Sequence, residues 1–156
     1  MENYSTSSSK IDIDLSFRPF PVQDLDVFVD SESIELMRNS SKWVNYICSW
    51  IKFIQLDKSL KCPKAVRNAS QISLGLELTN DEKISDLNYT WLGKSKSTDV
   101  LSFPILDETF SGENNQCIEL GDIVISVPTA IRQAKDNNAD LFRELRWLAT
   151  HGFLHL

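Results

Sequence analysis

The chain has 156 residues, 42% hydrophobic and 24% charged, with a formal net charge of -6 and a pI near 4.9, enough for one domain whose core holds without cross-links. Its three cysteines, Cys48, Cys62 and Cys117, are too few and too scattered for a disulfide framework or a CxxC metal knuckle, which favours a reducing compartment. No apolar run reaches the roughly 18 residues of a membrane span and the Ser-rich start lacks the basic-then-apolar order of a secretory signal, so a cytoplasmic protein with no membrane partner is expected.

Residues 1–10 read as a polar tail and residues 11–156 as a single domain. Ile11, Ile13 and Leu15 alternate with Asp12 and Asp14, which sets three apolar side chains on one face of a half-buried strand. Residues 17–31 contain Pro19 and Pro21 and read as an irregular connection. Over residues 34–56, Trp43, Ile47, Trp50, Ile51 and Ile54 recur at spacings of three and four, the pattern of an amphipathic helix, with all four of its aromatics expected in the core. Residues 61–68, with Cys62-Pro63, read as a loop.

Ile72, Leu74, Leu76 and Leu78 alternate with Ser73, Gly75, Glu77 and Thr79 as a second strand. The period then changes to that of a short helix capped by Asn80. Asp81 and Glu82 lie at its positive end, Ile84, Leu87, Asn88 and Trp91 share one face, and Gly93 stops it. Residues 98–103 (TDVLSF) predict a third strand ending at Pro104, residues 107–116 a polar loop, and residues 118–127 (IELGDIVISV) a fourth strand. Helices follow over residues 129–136 and from about Ala139 onward, separated by Asn137-Asn138. This order predicts an α+β (mixed α/β) domain, a small sheet of about four strands covered by helices.

Acidity argues against a nucleic-acid partner, because phosphate neutralisation supplies most non-specific affinity. The charge is unevenly placed, however. Eight acids against three bases fall in residues 1–40, but fourteen against thirteen beyond them, so the C-terminal body is nearly neutral. Lys94 and Lys96 stand close in one loop, and Arg132, Lys135, Arg143 and Arg146 recur in the last third. Two readings stay open for these groups, a solvated face and an RNA-facing patch.

The only two histidines, His151 and His155, close the chain as HGFLH. At spacing i, i+4 on a helix their imidazoles stand one turn apart and can converge on one metal ion. Leu141, Leu145, Leu148 and Gly152 mark the buried stripe of that helix, and the histidines follow its edge, which places them at the rim of a pocket. A pair that merely packs and hydrogen-bonds is the competing reading. Two ligands are also one short of the three usual for catalytic zinc, and Gly152 stands where the glutamate of a HExxH protease would be.

LNYTWLGKSKSTDVLSFP (residues 87–104), ELGDIVIS (residues 119–126) and HGFLHL (residues 151–156), in this order and spacing, resemble the YbeY family of metal-dependent endoribonucleases that mature ribosomal RNA. The resemblance implies a YbeY-like metal hydrolase fold and His151 and His155 as ligands of one zinc ion, Zn2+. It also implies single-stranded ribosomal RNA as substrate, processing at the small-subunit rRNA 3′ end, a role in ribosome quality control, and the small ribosomal subunit with its proteins as partners. The family motif H-G-x-L-H-L-x-G-x-D-H matches here in its first six positions. Its third histidine, the preceding Asp and a C-terminal helix fall beyond Leu156, and a truncated product, an incomplete sequence and a fragment are all compatible with that.

Leu92 replaces an Arg that many relatives carry before the Gly-Lys, and Lys94 and Lys96 are left to meet the RNA backbone. Resemblance also sets Gly121 and Asp122 on a strand beside the metal pocket, although an ordinary solvated acid fits Asp122 equally. No residue is assigned as general base. Two other readings stand beside the nuclease: a non-enzymatic ribosome-associated binding protein without metal, and a zinc hydrolase of another substrate class.

Overall fold

The computed structural model describes residues 10–105 and 117–156. Most of the expected tail, residues 1–9, and the loop expected at 107–116 lie outside the described residues. Four strands form one sheet in the order β1-β2-β4-β3: β1 is Asp12–Arg18, β2 Gln71–Thr79, β3 Val100–Pro104 and β4 Cys117–Ser126. β1 and β4 flank β2 in parallel, and β3 pairs antiparallel with β4 at the edge. The mixed α/β domain expected from the pattern is the one observed.

Ile72, Leu74, Leu76 and Leu78 point from β2 into the main core, together with Ile118, Leu120, Ile123 and Ile125 of β4. Helices α1 (Ser31–Arg38), α2 (Ser40–Leu56) and α6 (Leu141–Leu154) bury that face of the sheet, joined by Val127 and Ala130 of α5 (Val127–Asp136). Among the described residues the other face is covered by α4 (Asp81–Leu92), whose Ile84 and Leu87 pack on Leu101, Phe103 and Val124. Beside it the described residues leave a groove of about 700 Å³ lined by Arg18, Glu77, Trp91, Phe103 and Asp122 among others.

Local chemistry explains where the sequence reading and the fold differ. β1 runs on to Arg18, into the stretch read as irregular, because Phe17 continues the inward alternation and Arg18 pairs with Glu77 of β2 at 3.4 Å. The single helix expected over residues 34–56 is two. Asn39 is extended (φ -118°, ψ 121°); it closes α1 through its N–H to the Glu35 carbonyl and caps α2 by accepting from the Ser41 N–H. Of the four aromatics, Trp43 is fully buried, whereas Tyr46 and Trp50 are half-buried and Phe53 is 64% exposed, on the outer side of α2.

Residues 61–68 are not all loop. The one-turn helix α3 (Lys64–Asn68) is held from outside: Arg67 Nη1 donates to the Ile54, Gln55 and Asp57 carbonyls while Gln55 Nε2 donates to the Val66 and Ala69 carbonyls. A helix that short has no period to read. α4 has the expected limits, with Asn80 accepting from the Lys83 N–H and Gly93 left-handed at φ 65°.

Candidate metal centre

α6 starts where Asp140 accepts from the Arg143 N–H and ends at His155, its C-cap. Its inner stripe, Leu141, Leu145, Leu148, Ala149 and Gly152, is buried. Gly152 is where the helix meets the sheet most closely. A Cβ there would lie 2.7 Å from Ile123 Cγ2 of β4, 3.1 Å from Val100 Cγ2 and 3.2 Å from Ser102 Oγ of β3. Ser102 Oγ also donates to the Gly152 carbonyl at 2.7 Å, so that carbonyl accepts both from a strand hydroxyl and from the His155 N–H. Phe153 packs on Trp50 of α2 with ring centroids 5.5 Å apart.

His151 and His155 therefore project from a turn fixed by β3 and β4. Both are exposed, with ring centroids 4.7 Å apart and planes at 67°. The stripe of α6 set them at the rim of a pocket, and the described groove is not that pocket. The groove lies against the sheet face opposite α6, and neither histidine lines it. Trp147, one turn earlier and 64% exposed, sets its ring 6.4 Å from that of His151.

The other residues singled out by sequence fall elsewhere. Lys94 and Lys96 are exposed in the loop between α4 and β3. That loop is pinned by buried Asn88, whose Nδ2 donates to the Lys96 carbonyl at 2.7 Å and whose own carbonyl accepts from the Lys94 N–H. Leu92, in the place of the arginine, is 55% exposed and lines the groove. Asp122 also faces the groove, above Gly75 of β2, on the opposite side of the sheet from α6. Gly121 beside it has φ 128°, and a Cβ there would sit 2.1 Å from the Phe103 carbonyl oxygen, so only glycine permits this pairing of β3 with β4.

Two carboxylates near this end of the fold have shifted acidities of opposite sign. Burial pushes the Glu144 carboxyl of α6 above its ordinary range, and the charge of Asp99 adds to this against the opposing pull of Arg143. Burial also disfavours the Asp81 carboxylate, but hydrogen bonds from Ser126, Thr129 and Arg132 outweigh it and hold its pKa low. Pattern reading gave Glu144 no role, since nothing in its spacing shows that Asp99 lies against it.

Two imidazoles one turn apart fit two corners of the tetrahedral N/S shell that zinc prefers. Among the described residues no set of three His, Cys, Asp or Glu side chains stands ready for a metal ion. Donor chemistry thus fits a metal at His151 and His155, with the shell incomplete. The pair faces solvent at the end of α6 and offers two nitrogen donors, with no further donor beside them among the described residues.

Residues 29–156 match the family model described as Endoribonuclease YbeY. A protein of that description from Prochlorococcus marinus strain NATL2A is 75% identical over 156 residues, all of this chain and 85% of its own length. Another, from P. marinus strain MIT 9313, is 44% identical over the whole chain and 83% of its own length. A Thermotoga maritima protein solved in solution aligns over 92% of this chain and 71% of its own, with TM-score 0.47 and 19% identity. The chain belongs to the endoribonuclease YbeY family, a family of nuclease hydrolases.

Proposed function

We propose that this chain is a zinc-dependent endoribonuclease that cuts single-stranded RNA, acting in the cytoplasm on ribosomal RNA at the 3′ end of the small-subunit species and in ribosome quality control, with the small subunit and its proteins as partners. The observation that carries the reading is the exposed imidazole pair, ring centroids 4.7 Å apart, at the end of a helix inside the family match. His151 and His155 would hold the ion. Bound zinc supplies a Lewis acid and a water whose pKa is drawn towards about 7.

The chain's own contribution is placement. Gly152 and Ser102 hold the helix end against β3 and β4, which sets where the turn that carries both imidazoles lies. Their outward aspect leaves room for a polymer. Lys94 and Lys96, on a loop that Asn88 pins at the Lys94 N–H and the Lys96 carbonyl, offer positive charge to the RNA backbone.

The test is cleavage of single-stranded RNA, duplex RNA and single-stranded DNA by the zinc-loaded chain, by His151→Ala and His155→Ala, and by the chain after chelation. Cleavage confined to single-stranded RNA, abolished by chelation and by either substitution, is expected. Chelator-insensitive cleavage, or full activity in His151→Ala, overturns the metal assignment. A small-subunit rRNA precursor with an unprocessed 3′ end tests the substrate in the same assay. The presence of only two ligands among the described residues favours one alternative, a metal-free ribosome-associated binding protein, which would bind RNA and take up no zinc.

A further inference from the structure

Four residues mark one outer flank of α6 at every fourth position: Arg143, Trp147, His151 and His155. At 1.5 Å per residue they span about 18 Å. The three rings are spaced in sequence, with Trp147 at 6.4 Å from His151 and His151 at 4.7 Å from His155. All four side chains are exposed.

Trp147, 64% exposed, and Trp91, 67% exposed, are the two tryptophans that face solvent, and of these Trp147 is the one on α6 beside the histidines. Trp43 is buried with Nε1 donating to the Leu36 carbonyl, Trp50 packs on Phe153, and Trp91 sets its edge on Phe103. Among the described residues the one ring partner of Trp147 is His151. Holding a tryptophan in water forgoes the burial that a ring of this size otherwise gains. The two arginines of α6 differ in the same sense. Arg146 lies over Tyr46 at 4.3 Å and over Phe142 at 5.5 Å, whereas the Arg143 guanidinium forms no ion pair or hydrogen bond among the described residues and acts on Glu144 only through its field. A free guanidinium, an uncovered aromatic face and two imidazoles, in that order along one flank, match the phosphate, base and next phosphate of a single strand.

We propose that this flank is the substrate track: one nucleobase of single-stranded RNA stacks on Trp147, the phosphate on one side of it pairs with Arg143, and the phosphate on the other side is delivered to His151 and His155. The proposal rests on the endoribonuclease reading above and extends it to substrate placement. Stacking on an open ring selects single strands, because a base inside a duplex has no free face, and it accepts any base. Trp147 is thus a positioning residue, and its loss weakens binding more than it alters the chemistry at the histidines.

The experiment measures binding of a short 2′-O-methylated adenylate oligomer, which resists cleavage, by tryptophan quenching and by fluorescence anisotropy. Wild type, Trp147→Ala, Trp147→Phe and Arg143→Ala are compared, each checked for an unchanged thermal melt. Trp147→Ala is expected to bind roughly 5- to 100-fold more weakly, the span reported for losing one stacked base. Trp147→Phe should keep most of the affinity, because a ring remains. Arg143→Ala should flatten the slope of log affinity against log salt by about 0.7, the value for one phosphate on a single strand. On a ribose-phosphate oligomer without bases, wild type and Trp147→Ala should bind equally.

Undiminished binding of the base-bearing oligomer by Trp147→Ala overturns the track and leaves the nuclease reading intact. So does cleavage by that variant with an unchanged KM. Failure of the wild-type chain to bind any RNA overturns both.

Discussion

Alanine at position 152 puts a methyl group where the helix and sheet leave no room for one. The new Cβ would sit 2.7 Å from Ile123 Cγ2, about 0.7 Å inside ordinary contact, and would also press on Val100 and Ser102. Two opposing effects follow. Alanine in a helix interior gains about 1 kcal/mol over glycine, while forcing a methyl group into a packed core costs about 1–3 kcal/mol. The expected outcome is a net loss of up to about 2 kcal/mol, read as a lower urea midpoint at unchanged slope. Relief requires the last turn of α6 to back away from β3 and β4. That turn carries both imidazoles, and sites of this kind tolerate only about 0.5 Å, so zinc affinity should fall as well. Ile123→Ala supplies the control: it costs about 2–5 kcal/mol by itself, but in its background Gly152→Ala should become neutral or stabilising. A Gly152→Ala variant about 1 kcal/mol more stable than wild type, as at an unobstructed helix position, would refute the close-packing argument.

Asp81 and Glu144 give opposite responses to pH. The folded-state pKa of Asp81 is depressed, so its contribution is present above the unfolded value, near pH 3.9, and is lost as pH falls through the folded value; in Asp81→Asn, denaturation midpoints should be lower at neutral pH and the loss on acidification smaller. Glu144 has its folded pKa raised, so it opposes folding increasingly as pH rises from about 4.3 through the folded value, and Glu144→Gln should gain stability over wild type at pH 7 but not at pH 4. Urea midpoints across that range check both, and a Glu144→Gln advantage independent of pH would show that the charge is not responsible.

The fold was legible wherever one face of an element is wet. Alternation identified β1 and β2, where Ile13 and Leu15, and Leu74, Leu76 and Leu78, face the core, and Asn80 and Gly93 bounded α4 because capping is local chemistry. It failed where partners distant in sequence decide the backbone. Asn39 breaks a continuous apolar period into α1 and α2, since both helices bury the same side and the stripe passes across the break. α3 depends on Arg67 donating to the Ile54 carbonyl of α2 and on Gln55 of α2 donating back to the Val66 carbonyl, a relation that no five-residue window contains.

Legibility of the site divides along the same line. Spacing alone set His151 and His155 one turn apart, because i, i+4 is a property of the helix itself. Their setting was not legible. Whether a pair on the edge of an apolar stripe meets a pocket or open solvent depends on what packs beside it, and here Gly152 draws the turn onto Ile123, Val100 and Ser102 while the rings remain outside. A glycine in the middle of a helical stripe costs about 1 kcal/mol against alanine, and that penalty is the local sign that a neighbour needs the space. The same closeness brings β3 to the helix end, so the strand that follows the Lys94–Lys96 loop and the helix that carries the imidazoles move as one unit. The loop lysines and the two imidazoles, separated by some sixty residues of chain, are thereby tied to one close contact between β3, β4 and Gly152.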